Sequence, residues 1–421
     1  MEQTILTIFL ALFAVQFAIE FGLNELNLRQ GASSAAKNWI PDPFRGIIDP
    51  QDYAKSIEYT LTNGRFHRWS EIYGSAILLL VLLSGLLGWI DQWSAHWASS
   101  FSFGRYGQGI IFCFAVGGVF TLTALPTELY ATFGIEAKFG FNKTSLALYL
   151  SDKVKGLVLS LLIGVPFLLV VLWLMDIMGR AWWLWAFAFI AAFQLLMIVI
   201  FPTFIAPWFN KFEPLKESEL RERILALAKQ IGFQTSGIYS MDCSKRSAHS
   251  NAYFTGIGKA KRIVLFDTLI EQMTTAQGLA VLAHEMGHYK MKHIRRMLLV
   301  QTVFLLGGLY FLSLLVNFAP FFSTFGLTPS SHGALVLFAL VSGPFTFYLA
   351  PFMNRLSRKH EYEADRFAAQ TLGDGQPMEQ ALIKLTIKNL SNLTPHPWYS
   401  AYHYSHPTAV ERIVAIRQLA I

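Results

Sequence analysis

A mainly α-helical protein with seven membrane spans and a small α+β unit on one side of the bilayer is predicted by three observations. The first is composition: of 421 residues, 53% are hydrophobic and only 14% charged, against about a quarter charged in soluble proteins. The second is run length. Seven apolar runs, at 5–23, 73–90, 109–125, 156–175, 181–200, 297–318 and 333–352, approach or reach the roughly 20 residues that cross a bilayer as a helix. The third is the alternation of basic residues between the connections, which orients such spans.

The first run contains Glu20 and nothing basic precedes it, so it reads as an uncleaved span and not as a signal peptide. The connection that follows holds Arg29, Lys37, Arg45, Lys55, Arg65 and Arg68. The next holds only Arg105; then come Lys138, Lys143, Lys153 and Lys155, then Arg180 alone. The block 211–296 is rich in basic residues, the connection 319–332 has none, and Arg355, Arg358 and Lys359 follow the last span. One orientation satisfies this alternation: amino terminus outside, block 211–296 and the carboxyl terminus in the cytoplasm. The net charge of +7 is therefore topological, and no nucleic-acid partner is expected. Cys113 and Cys243 make no disulfide framework. The chain divides into 1–207 with five spans, a catalytic segment 208–296, two spans in 297–353, and a second catalytic segment 354–421.

Within 208–296 the composition turns to that of a soluble domain. Residues 217–231 have the periodicity of an amphipathic helix. Short strands follow at 236–241, 251–256 and 261–267, where β-branched and aromatic residues are bounded by Gly, Asp and Ser. A helix over 274–291 comes next. Asn251, Ala252 and Tyr253 are the candidate strand edge for an extended peptide, which such an edge holds through backbone hydrogen bonds.

On that helix His284 and His288 are four residues apart, so their imidazoles lie about 40° apart around the axis and reach one point. That point suits zinc. Glu285 is displaced by roughly 100°, beside the ion but outside the ligand set, where it can act as general base on a water. A catalytic zinc needs a third protein ligand. The candidates lie in 357–365, directly after the last span, where Glu361, Glu363 or His360 could ligate and Glu361 shares a face with Asp365. His293, five residues after His288, has no ligand spacing on a straight helix and stays unassigned, as do His249, His396 and His403.

His-Glu-x-x-His at 284–288, Glu-x-x-x-Asp at 361–365, the seven spans and the strand segment together resemble the integral-membrane zinc metalloproteases of the type I CAAX prenyl protease family. The likeness runs over nearly the whole chain and is most specific at 135–142, 244–253, 261–270 and 405–412. It implies a zincin-like α+β catalytic domain on the cytoplasmic side, helices enclosing an intramembrane chamber, and one zinc per chain held by His284, His288 and Glu361. It also implies that Asp365 supports the ligands from outside the shell, and that His406 and Arg412 face the scissile carbonyl as donors. The implied substrate is a prenylated protein ending in CaaX. Residues 417–421 carry no retrieval signal and the short loops are compact, which favours a bacterial inner membrane over the endoplasmic reticulum. In such a membrane the alternative is a quality-control peptidase with no prenyl requirement. A catalytically inactive channel or scaffold is a third reading, against which the intact His284, Glu285, His288 and Glu361 stand.

Overall fold

The computed structural model describes residues 1–256 and 261–419; of the stretch 417–421, residues 420 and 421 lie outside these. Helix α1 (Glu2–Ala36) is followed by α2 (Pro50–Leu83) and α3 (Leu86–Ser100), which meet at a bend of 61°. Gly85 makes that bend with φ of +82°, a conformation that costs glycine little. Three long apolar helices come next: α4 (Gly104–Phe139), α5 (Leu146–Ile177) and α6 (Gly179–Phe209). Each contains a wide π turn, at Tyr130–Glu136, Ser160–Gly164 and Phe201–Ile205. These turns lie near Pro126, Pro166 and Pro202, where a missing N–H already breaks the i to i−4 ladder.

Helix α7 (Glu219–Ile231) and α8 (Thr275–Lys290) belong to the polar block, and α9 (His293–Leu315) crosses the membrane. The last span is again bent, by 44°, between α10 (Ser331–Val341) and the segment Gly343–Leu372, whose larger part is α11 (Ala350–Leu372). Among the described residues, five helices are long and apolar enough to cross a membrane, or up to seven segments when each bent pair counts as one span. The chain is a multi-pass membrane protein.

The region 24–70, read from composition as a polar connection, is mostly helix. At 1.5 Å per residue the 35 residues of α1 rise about 52 Å, against roughly 30 Å of hydrocarbon. Helix α2 begins at Pro50 behind Asp49, whose side chain accepts the Gln51 N–H, and continues the helical region on the same side. Its first turns join a core of Phe44, Tyr53, Ile57, Met378, Ile383 and Ile413, so the amino-terminal helices brace the carboxyl-terminal segment.

The sheet in the polar block has four strands, β1 (Phe212–Pro214), β2 (Gly237–Met241), β3 (Ala252–Thr255) and β4 (Arg262–Phe266), in spatial order β1-β2-β4-β3. Strand β4 runs parallel to β2 and antiparallel to β3. Three strands match the sequence reading; β1, three residues long, is too short to leave a periodicity. Apolar residues Ile224, Leu227, Ile263, Leu265, Leu282 and Met286 fill the space between sheet, α7 and α8. A second core, with Phe9, Leu82, Leu87, Phe112, Phe322 and Leu337, joins the membrane helices.

Two of the stretches singled out in the sequence meet in space. Ala248 N–H donates to Phe141 O at 3.1 Å and Lys143 N–H to Arg246 O at 3.0 Å. Arg246 makes a bidentate pair with Asp152 at 2.8 and 3.0 Å, and the His249 ring stacks on Phe141 at 4.1 Å. Tyr59 donates to Glu136 at 2.6 Å. The membrane region thus grips the loop that leads into β3. The carboxyl-terminal segment adds α12 (Gln376–Lys388), α13 (Pro397–His403) and α14 (Ala409–Arg417).

Candidate metal centre

Helix α8 begins with a capping box, Thr274 on the Gln277 N–H and the Gln277 side chain on the Thr274 N–H, which satisfies two of the donors a helix start leaves free. It is buried along most of its length and packs against α11. Gly287 permits the approach: a Cβ there would lie 3.1 Å from Ala364 Cα and 3.3 Å from Ala364 O. Backbone would meet backbone.

That contact carries Glu361 to the histidines. His284 Nε2 and His288 Nε2 are 3.2 Å apart, His288 Nε2 lies 3.2 Å from Glu361 Oε1, and His284 Nε2 lies 3.4 Å from Glu361 Oε2. Ligand atoms at about 2.05 Å from a tetrahedral zinc stand about 3.3 Å from one another; each imidazole here meets a different oxygen of Glu361, and one ligand atom from each of the three residues lies within 4.8 Å of the other two, close enough to share one ion. The donor set, two imidazoles and a carboxylate, fits zinc. Among Glu361, Glu363 and His360, the sequence alone left the third position open; the described residues bring only Glu361 into a group with His284 and His288.

The electrostatics follow from burial and pairing. Burial alone would raise the Glu361 carboxyl, but bonds from His284 and His288 outweigh it and hold it well below the usual range. Burial, against the pull of neighbouring imidazoles, leaves Glu285 raised, which makes its carboxylate a better proton acceptor. Asp365 would likewise be raised by burial, but Arg412 and His284 hold it low. Its Oδ1 lies 2.7 Å from His284 Nδ1, fixing that ring so that Nε2 faces the other donors.

Helix α14 starts with a second capping box, Thr408 with Glu411, and presents Arg412 to the same carboxylate. Arg412 Nε and Nη2 donate to Asp365 at 2.8 and 2.6 Å, and Nη1 lies 3.5 Å from Glu361 Oε2. The guanidinium expected at the scissile carbonyl is thus largely taken up by Asp365. His406, on the loop before α14, has Nε2 at 3.5 Å from Glu361 Oε1 and a side chain 60% exposed. It is free to meet a ligand. A cavity of about 830 Å³ opens beside both residues, lined also by Tyr59, Asn63 and Asn389.

Strand β3 is one of the two edges of the sheet among the described residues and packs on α8. The Phe266 N–H donates to Asn251 O, and backbone groups alternate along an antiparallel pair. Asn251 and Tyr253 therefore turn their backbone toward β4, and Ala252 and Phe254 turn theirs outward. Of the three residues expected at the edge, Ala252 alone presents backbone there, and its N–H already reaches Asn251 Oδ1; Phe254 was missed.

The histidines left unassigned divide. His249 bridges Asn389 and Glu136, His396 caps α13, and His403 lies 3.2 Å from Glu20. His293 is different: its Nδ1 lies 3.1 Å from His288 Nδ1, so it touches the centre from behind.

Comparison with known proteins gives one consistent result. Residues 31–211 match the family model described as CAAX prenyl protease N-terminal, five membrane helices, and residues 214–420 match peptidase family M48. The rice CAAX prenyl protease 1 homolog is 38% identical over 90% of this chain and 90% of its own. CAAX prenyl protease 1 of Saccharomyces cerevisiae is 37% identical over 90% and 88%, and the human homolog 32% over 90% and 89%. The crystal structure of S. mikatae Ste24p superposes with a TM-score of 0.89 at 34% identity, covering 97% of this chain and 98% of that one. These relatives are eukaryotic, and the preference for a bacterial inner membrane finds no support in them.

Proposed function

The chain belongs to the CAAX prenyl protease branch of peptidase family M48, and from that membership we propose that it is a zinc endopeptidase cutting near the carboxyl terminus of prenylated CaaX proteins. The observation that carries this is the set of three donors from His284, His288 and Glu361 at 3.2 to 3.4 Å with Glu285 beside them. Zinc bound there would supply an acidified water and polarise the scissile carbonyl.

This chain's residues do the rest. Glu285 accepts the proton from the attacking water and passes it to the leaving amide nitrogen. His406, exposed and adjacent to Glu361, donates to the carbonyl oxygen as negative charge develops on it. Asp365 orients His284, and Arg412 holds Asp365 while its charge faces the same region. The peptide lies along the outward edge of β3, beginning at Ala252 within the stretch Asn251 to Tyr253. The cavity beside His406 and Arg412, walled by α2 and α12, is where an intramembrane chamber meets the centre, so an isoprenoid can stay in apolar surroundings while the peptide reaches the metal. The basic-residue alternation supports placing the zincin-like domain and both catalytic segments on the cytoplasmic side.

Glu285→Gln tests the reading. It keeps shape and both histidines, so zinc content should be unchanged, while product from a prenylated CaaX peptide should fall by about a hundred- to ten-thousand-fold. Equal turnover at equal zinc would remove Glu285 as the base. Cleavage of unmodified membrane proteins but not of the prenylated peptide would favour the quality-control peptidase, and no cleavage of either by the unaltered protein would favour the scaffold.

A further inference from the structure

We infer that His293 and Glu363 form a second orienting chain behind the centre, positioning His288 as Asp365 positions His284. This rests on the zinc reading above but concerns residues outside the ligand set. His288 presents Nε2 to the other donors, so as a neutral ligand it carries its proton on Nδ1. That atom lies 3.1 Å from His293 Nδ1, which must then be the acceptor. The acceptor role fixes the His293 proton on Nε2, and Nε2 lies 2.9 Å from Glu363 Oε2. Each donor along the chain has one acceptor, ending on a carboxylate that also faces Arg296 at 3.6 Å and Lys359 at 3.9 Å.

Two independent features hold His293 in place. Helix α8 ends at Lys290 and α9 begins at His293, and between them Lys292 is left-handed, with φ of +59°. A lysine in that region is strained and persists only where its surroundings require it. Here the break swings His293 back toward His288, which a straight helix would not allow. The His360 ring of α11 stacks on His293 at 4.0 Å with 12° between planes, and His293 is 2% exposed. Within one stretch, 360–365, α11 therefore supplies the stacking ring, the third ligand, the end of this chain and the partner of His284.

The test compares His293→Phe, which keeps a ring against His360 but offers no acceptor, with His293→Asn, whose amide oxygen can still accept from His288. Full-length protein in lipid nanodiscs is loaded with zinc and titrated with a chelator, and a cobalt-loaded sample is read by its visible spectrum. His293→Phe should bind zinc about 10- to 100-fold more weakly with a shifted cobalt spectrum, and His293→Asn should recover both. Glu363→Ala should shift them in the same direction. Unchanged zinc affinity and spectrum in a folded His293→Phe protein would overturn the inference, as would an Asn variant no better than Phe, which would leave only a packing role. Neither readout needs substrate, so a protein that binds zinc as expected yet cuts neither the prenylated peptide nor unmodified membrane proteins would refute the peptidase reading and leave this one standing.

Discussion

At the scale of single residues, the centre is a contest between burial and pairing. Burial and Arg412 depress the His284 imidazole, but the carboxylates of Asp365 and Glu361 raise it further, to about 9, from an unfolded value near 6.5. With the metal stripped, the stability this contributes is complete below about 6.5 and is lost as pH rises through 9. Zinc must displace the same proton, so its affinity should climb about tenfold per unit as pH approaches 9 and level off above it. A competition titration from pH 7 to 10 measures this, and a flat profile would show that His284 is not protonated there. Glu361→Ala removes the proposed third ligand, and elemental analysis should find zinc sharply reduced; full occupancy would exclude Glu361 from the shell. The pair His284 and His288 was legible in sequence because both sit on one helix. Glu361 was not legible from local rules, none of which ranks it above Glu363 or His360; only the family resemblance at 361–365 pointed to it.

At the scale of elements, the missing rule is the meeting of α8 with α11. Gly287 looks like an ordinary helix glycine, and replacing one with alanine usually stabilises by about 1 kcal/mol. Here the added carbon would face the backbone of Ala364 at 3.1 Å, and helix backbones cannot yield as a flexible side chain does. Gly287→Val should therefore push α11 outward, losing zinc before the helices melt. Zinc content and helical circular dichroism together check this; full zinc in Gly287→Val would mean that the approach tolerates a side chain. His293 was passed over for a related reason. The spacing argument assumed a straight helix, and the left-handed Lys292 breaks it. The sheet was legible in three strands from β-branched and aromatic residues bounded by Gly, Asp and Ser, whereas the outward direction of Ala252 and Phe254 depends on which neighbour β3 pairs with.

At the scale of the whole molecule, hydropathy predicts seven spans; five are single helices long and apolar enough to cross, and the other two require a bent pair to count as one span. The bends at Gly85 and before Gly343 fall inside apolar runs, where glycine is common and leaves no distinctive mark, and the extension of α1 and α2 beyond the bilayer lies in composition that reads equally well as loop. Orientation rests on basic residues alone. A cysteine placed at Ser330, between α9 and α10, should react with a membrane-impermeant reagent only from the side opposite the catalytic segments; labelling from the same side would invert the topology. The route of the chain also has a consequence for biosynthesis. His284 and His288 leave the ribosome on α8, and Glu361 follows on α11, after α9 and α10 have been synthesised. Until α11 has been made, a nascent chain carries His284 and His288 without Glu361, and the group of three cannot form.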